Sequence, residues 1–170
     1  MDESAIMASS EGELARPAER HDFDALFRSE RDGVYRTMLA FTGGRPDVAE
    51  EATAEAFARA YARRSDLRDP VAWIYRAAFR VATDEVRRDR RRGAAVEMSI
   101  PGATAGLTDL MAALRRLSPQ QRAAIVLHHL ADLEMSEVAR RMGTATPTVR
   151  VHLHRGRARL HELLGTEEDD

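Results

Sequence analysis

Arginine is the chemically loaded residue of this chain. It supplies all 26 basic side chains among 170 residues, and lysine and cysteine are absent. Arg76, Arg80, Thr83, Arg87 and Arg90 advance by four, three, four and three, so one helical face would carry them all. Tyr75 and Phe79 flank that stripe. Guanidinium groups beside aromatic rings suit a melted nucleic-acid strand, with phosphates on arginine and unpaired bases stacked on rings. Rings at helical spacing also serve as ordinary core, and for Tyr75 and Phe79 both roles stand at this point. A second basic run, Thr144–His161, holds four arginines and no acid. As a helix it would bury Val149 and Leu153 and show Thr148, Arg150, His152, Arg155, Arg157 and Arg159. Glu50, Glu51 and Glu55 form the opposite feature, an acidic patch containing an i,i+4 like-charge pair. Such a pair costs a few tenths of a kcal/mol unless something basic covers it, although a solvated acidic face is the ordinary alternative.

Other chemistries find little support. His152 and His154 stand two apart on a helix and point in widely different directions, and the adjacent His128 and His129 are expected to diverge likewise, so neither makes a metal pair. Without cysteine there is no disulfide and no cysteine-ligated zinc. No Gly-rich phosphate loop or nucleophile elbow occurs. The sequence is that of a non-enzyme, with no catalytic residue, metal or cofactor expected.

The formal net charge is only −2, but it is unevenly spread. Residues 87–92, RRDRRR, carry five arginines against one aspartate, whereas acids concentrate in residues 1–55 and in the closing EEDD. A chain so polarised has two classes of partner, one anionic and one basic. No apolar run approaches the roughly 20 residues that span a bilayer. The first residues, MDESAIMASSEGEL, lack a basic start and a long apolar stretch, so a cytoplasmic protein with no membrane insertion is expected.

The elements that must position these residues are all helical. Residues 1–20 read as a mobile extension. From Asp22 an apolar stripe runs to Phe41, bent near Gly33 and ending at Thr42-Gly43-Gly44. Pro46 opens a helix whose apolar face includes Val48, Ala52, Ala56, Phe57, Ala60 and Tyr61. Residues 65–69 form a loop, and Pro70 opens the arginine-striped helix, with Trp73, Ala77, Ala78, Val81, Ala82 and Val86 available to a core. Residues 93–106, rich in Gly, Ala, Ser, Thr and Pro, read as a flexible linker. Leu107, Leu110, Met111, Leu114 and Leu117 then open a second domain, and Ser118-Pro119-Gln120-Gln121 is a capping box. In the stretch 135–161, Ser136 is an N-cap candidate, Gly143 a stop and Thr146-Pro147 a restart. Ala139, Gly143 and Val149 fall where a helix-turn-helix needs a small residue, a turn residue and a core-facing residue. The expected fold is all-α: residues 21–92 and 107–165 as two small helical domains, with an acidic tail at 166–170.

These motifs resemble a sigma-70 family RNA polymerase sigma factor of the compact extracytoplasmic-function (ECF) group. The segment PDVAEEATAEAFARAYAR is similar to the family's polymerase-binding segment, and DPVAWIYRAAFRVATDEVRRDRRR to the helix that engages the melted −10 element. The stretch LSPQQRAAIVLHHLADLEMSEVARRMGTATPTVRVHLHRGRARLHELL resembles the family's −35 reader almost throughout. The resemblance implies a region 2-like bundle and a region 4-like helix-turn-helix. It implies that Asp47, Glu50, Glu51, Glu55 and Phe57 dock on the clamp coiled coil of the polymerase largest subunit. It further implies that the loop Ser65, Asp66, Leu67, Arg68 and Asp69 pockets a flipped promoter base, beside Arg76, Arg80, Asp84, Arg87 and Arg88. Thr148, Arg150, His152 and Arg155 would enter the upstream major groove. Core polymerase (clamp coiled coil and the flap of the second-largest subunit), promoter DNA and an anti-sigma protein are the implied partners. Family members often carry glutamine where this chain has Ala54, asparagine at Arg80, and arginine or lysine at His152. The alternative of another class is a stand-alone helix-turn-helix regulator binding palindromic duplex as a dimer.

Overall fold

The computed structural model describes residues 18–93 and 100–165. Seven α-helices run through them: α1 (Ala18–Phe41), α2 (Pro46–Ala62), α3 (Pro70–Arg92), α4 (Ala105–Arg115), α5 (Pro119–Ile125), α6 (Met135–Met142) and α7 (Thr146–Leu164). A π-helical turn, Val126–Leu130, continues α5. No strand occurs among the described residues. Residues 1–17 of the expected extension, 94–99 of the expected linker and the tail 166–170 lie outside them.

Local chemistry explains most boundaries. Pro46 opens α2, and Asp69 caps α3 by accepting from the Ala72 N–H at 3.0 Å. Ser118 and Gln121 make the expected capping box at α5. α1 starts at Ala18, inside the expected extension, and continues through Gly33 to Phe41. A Cβ on that glycine would meet the Tyr75 hydroxyl oxygen at 3.5 Å, an ordinary contact. α4 starts at Ala105, two residues before the expected boundary, because Thr104 accepts from the Leu107 N–H at 3.3 Å. Two expected caps are not made. Ser136 lies inside α6, whose N-cap is Glu134, and Thr146 is the first residue of α7 after the N-cap Ala145. Both N-cap residues arrive extended (ψ 153 and 150) with no side-chain bond. The Glu134 and Ala145 carbonyls start the helices by accepting from Val138 and Val149 at 2.9 and 3.1 Å. Gly143 stops α6 in the left-handed conformation (φ 67), as expected.

The first module packs α1, α2 and α3 together around Val34, Met38, Phe41, Ala49, Ala52, Ala56, Ile74 and Ala78. Its many alanines let helix backbones approach closely. The second gathers α4–α7 around Leu114, Leu127, Val138, Val149 and Leu153. Each fully buried Leu or Ile contributes about 1.5–3 kcal/mol from burial alone. The helix-turn-helix positions fall as expected, with Ala139 and Val149 buried.

The two modules also pack on each other. Arg122 of α5 is 3 % exposed and donates to the Phe41, Arg115 and Leu117 carbonyl oxygens at 2.9, 2.9 and 3.1 Å. Arg115 donates to the Gly43 oxygen at 2.8 Å, and Arg90 to the Arg115 oxygen at 3.2 Å. Gly43, at φ 70, has no room for a Cβ, which would collide with the Arg115 stem.

Candidate nucleic-acid interface

Arg76 and Arg80 stand exposed on α3. Together with Trp73 of the same helix and Arg59 and Arg63 from the end of α2, they line a groove of about 400 Å³. The Arg63 guanidinium carbon is 5.8 Å from the Trp73 ring centroid, and Arg59 holds Glu55 at 2.6 Å. The groove offers an aromatic surface ringed by arginine and no lining carboxylate. Trp73, expected at the core, is half-buried and lines this groove. The signal for the missing residues was present in the sequence: Arg59 and Arg63 are four apart, at the end of a helix otherwise read for its acids.

The rest of the expected strand set divides. Ser65, Asp66 and Arg68 are exposed on the loop before α3, whereas Leu67 packs against the core. Asp69 caps α3 and pairs with Arg140 at 2.9 Å. Asp84 and Arg87 join Arg76, Arg80 and Arg141 in a cleft of about 290 Å³ between the modules. Arg88 pairs with Glu85. Tyr75 is core: it is buried, Arg141 stacks 4.4 Å from its ring centroid, and burial raises its pKa. Phe79 is half-buried, edge-on to Phe41 at 4.9 Å.

On α7, Thr148, Arg150 and Arg155 are exposed and His152 is half-buried. At about 100° per residue, Thr148, His152 and Arg155 share one shoulder of the outward face, and Arg150 takes the other with His154 and Arg157. Val151 lies between them, 45 % exposed. Two residues from both Val149 and Leu153, Val151 falls about 200° from each around the helix, so the period that buries those two already turns it outward.

The acidic face of α2 is open. Glu50 and Glu51 are exposed and make no ion pair among the described residues. Glu55 is held by Arg59, and Asp47 lies 2.9 Å from Arg45. Burial alone would raise the Asp47 pKa, but hydrogen bonds from Arg45 and the Val48 amide outweigh it and hold the carboxyl below its ordinary value. Arg45 also pairs with Asp89, tying the start of α2 to the end of α3. Phe57, expected at the polymerase contact, is 3 % exposed with its ring centroid 5.0 Å from that of Phe27. It is too large and apolar to remain outside the α1–α2 seam. There it floors a groove of about 610 Å³ that Phe23, Phe27, Tyr35 and Tyr61 also line.

His128 and His129 do not diverge as expected. The wide π-helical turn brings their rings edge to face with centroids 4.8 Å apart, and His128 Nδ1 is spent on the Leu133 carbonyl at 2.8 Å. No group of three or more His, Cys, Asp or Glu able to hold a metal occurs among the described residues. No helix among them is long and apolar enough to cross a membrane.

Comparison with known proteins falls on the same two modules. Residues 26–92 match the family model described as Sigma-70 region 2, and residues 107–160 that of Sigma-70, region 4. The chain is 31 % identical over 156 residues to the ECF RNA polymerase sigma factor SigM of Mycobacterium tuberculosis, spanning 86 % of this chain and 79 % of that protein. This chain belongs to the ECF group of the sigma-70 family. As a sigma factor it directs promoter-specific transcription. It is 32 % identical over 157 residues to the RNA polymerase sigma-E factor of Streptomyces avermitilis, across 86 % of this chain and 83 % of that one. The sigma factor RpoE, solved with the anti-sigma factor NepR from Bartonella quintana, shares the fold at a TM-score of 0.69 and 23 % identity, covering 86 % of this chain and 99 % of that one. CnrH, solved with the cytosolic domain of CnrY, does so at 0.64 and 22 %, covering 88 % and 91 %.

Proposed function

We propose that residues 21–92 bind core polymerase and the melted −10 strand, and that residues 107–165 read the −35 duplex. The observation that carries this division is the groove of Trp73, Arg59, Arg63, Arg76 and Arg80, on a different module from the outward arginines of α7. Stacking and phosphate contact favour an unpaired strand at the first site. At the second, Arg150 and Arg155 suit guanine edges or phosphates, and Val151 suits a thymine methyl. Glu50 and Glu51, which make no ion pair among the described residues, complement the basic clamp coiled coil of the polymerase largest subunit, and the groove floored by Phe57 adjoins them. The second module also takes the flap of the second-largest subunit. An anti-sigma protein is a further partner, by the company that RpoE and CnrH keep.

Transcription in vitro with core polymerase over a promoter library tests the division. Arg150→Ala lowers transcription from the selected promoters at unchanged polymerase affinity, and Val151→Ala relaxes the preference at one upstream position. Loss of polymerase binding in Arg150→Ala refutes the assignment.

A further inference from the structure

We propose that the cleft between α3, α5 and α6 is a binding site for a small polyphosphate anion, either free diphosphate or the phosphate chain of a nucleotide. Arg76, Arg80 and Arg87 of α3 line it with Arg141 of α6, and Asp84 is the one carboxylate in its wall. Among the described residues Arg80 and Arg87 make no hydrogen bond or ion pair, and Asp84 takes neither. Arg141 is the decisive residue. Its side chain is 13 % exposed, its guanidinium carbon stands 4.4 Å from the Tyr75 ring centroid, and its Nε is buried with no hydrogen bond. Glu137 Oε2 is 3.8 Å away and already accepts from Arg140 at 3.1 Å. A guanidinium carries five N–H donors, and one taken out of water without acceptors is costly. The fold has buried this cation and supplied no anion against it.

Phosphate chemistry fits what the cleft lacks. A guanidinium meets phosphate oxygens two at a time, and stacking on Tyr75 holds the Arg141 fork ready for that contact. Four cations gathered around one space repel one another while it is empty. A polyanion relieves that repulsion on both sides of the cleft, whereas a singly charged ion relieves little of it. The volume, about 290 Å³, is at the small end of ligand sites and suits a phosphate chain. The Thr83 hydroxyl and the Gln120 amide add neutral donors, and Phe79 with Met142 gives an apolar wall on which a base can lie. Arg76 and Arg80 also line the groove given to the promoter strand. Gln120 and Arg141 belong to the second module and stand outside that assignment, so the two sites can be told apart.

Calorimetric titration of the full chain with pyrophosphate, free of magnesium, tests the site, with sulfate at equal ionic strength as the control. Pyrophosphate should bind saturably and raise the melting temperature with its concentration, since it binds the folded state alone. Gln120 is exposed in the first turn of α5, where an acid is tolerated, so Gln120→Glu should melt like the parent. The carboxylate it brings to the cleft should weaken pyrophosphate about tenfold. Arg141→Gln, which removes the buried cation, should weaken it as well. ATP titrated alongside separates the two sources: tighter binding than pyrophosphate assigns the site to nucleotides, equal binding to the phosphate chain alone, and either result supports it. Absence of saturable binding, sulfate binding as well as pyrophosphate, or an indifferent Gln120→Glu overturns the proposal. So does a loss of affinity for a single-stranded oligonucleotide in Gln120→Glu as large as the loss for pyrophosphate, which would give the cleft to the strand.

Discussion

Arg122 Nη1 donates to the Phe41 carbonyl oxygen at 2.9 Å, reaching from α5 to the last residue of α1. The guanidinium carbon stands 5.2 Å from the Phe41 ring centroid, and Nε, buried, has no partner. Among the described residues no carboxylate balances the charge. Burial, with Arg90 and Arg115 nearby, pushes the Arg122 pKa down to about 10. What holds the cation is a set of carbonyl dipoles, one of them at the negative end of α1. Arg122→Ala should therefore lower the unfolding free energy by about 2–4 kcal/mol in urea denaturation, since it empties a buried volume and takes the guanidinium from the Phe41 and Leu117 carbonyls, that of Arg115 keeping Arg90. Arg122→Met should cost less, because it keeps most of the volume and no longer buries a charge. Equal losses in the two variants would refute this account.

Trp73 is expected to carry a stacked base. Losing such a contact costs about 1–3 kcal/mol. In the polymerase complex Trp73→Ala should lower heparin-resistant open complexes several-fold, with Trp73→Phe retaining most of them. Duplex binding through α7 should not change. Arg63→Ala should weaken strand binding and flatten its salt dependence, the sign of a phosphate contact.

Glu50 and Glu51 make no ion pair among the described residues, so reversing them should cost the fold little. Glu50→Arg with Glu51→Arg should weaken capture of core polymerase at least tenfold at low salt, and less at high salt, where exposed charges are screened. Folding, followed by thermal melting, should stay near that of the parent. A double variant that captures polymerase as well as the parent does would remove the acidic face from the interface.

Acid should destabilise the chain in two separate windows. Partial burial, then His128 and Arg157, lowers the His129 pKa from 6.5. The folded state thus holds that proton less tightly than the unfolded one, and stability that is full above pH 6.5 declines as pH falls through 6.5 toward the folded value. The Asp47 carboxyl, held below 3.8, contributes stability that is present above pH 3.8 and is lost as pH falls through its folded value. His129 is exposed, so its step is small. Thermal melting against pH should show both declines, with His129→Gln removing the first and Asp47→Asn the second.

Helices were legible because their signals are local. Pro46, Asp69-Pro70, the Ser118–Gln121 box and Gly143 act on backbone groups within a few residues of themselves, and the structure uses each of them. The arginine stripe was legible for the same reason, since helical period is a property of spacing alone. Ser136 and Thr146 failed as caps because each helix starts earlier than their residue types suggest, which makes Ser136 the second and Thr146 the first residue inside its helix and leaves the capping position to Glu134 and Ala145.

Sequence by itself determined the all-α architecture and the kinds of charge its helices display, which follow from residue type and period. Only the tertiary structure decided which side chains of those faces remain available. Tyr75 went to the core and Trp73 to the wall of a groove, because burial depends on what packs across a helix and period alone does not say which neighbour arrives. Trp73 and Arg63 came together from separate helices, and Asp69 met Arg140 from the other module. Contacts between residues so far apart along the chain leave no mark in local spacing, and they exist only once the helices have taken their places.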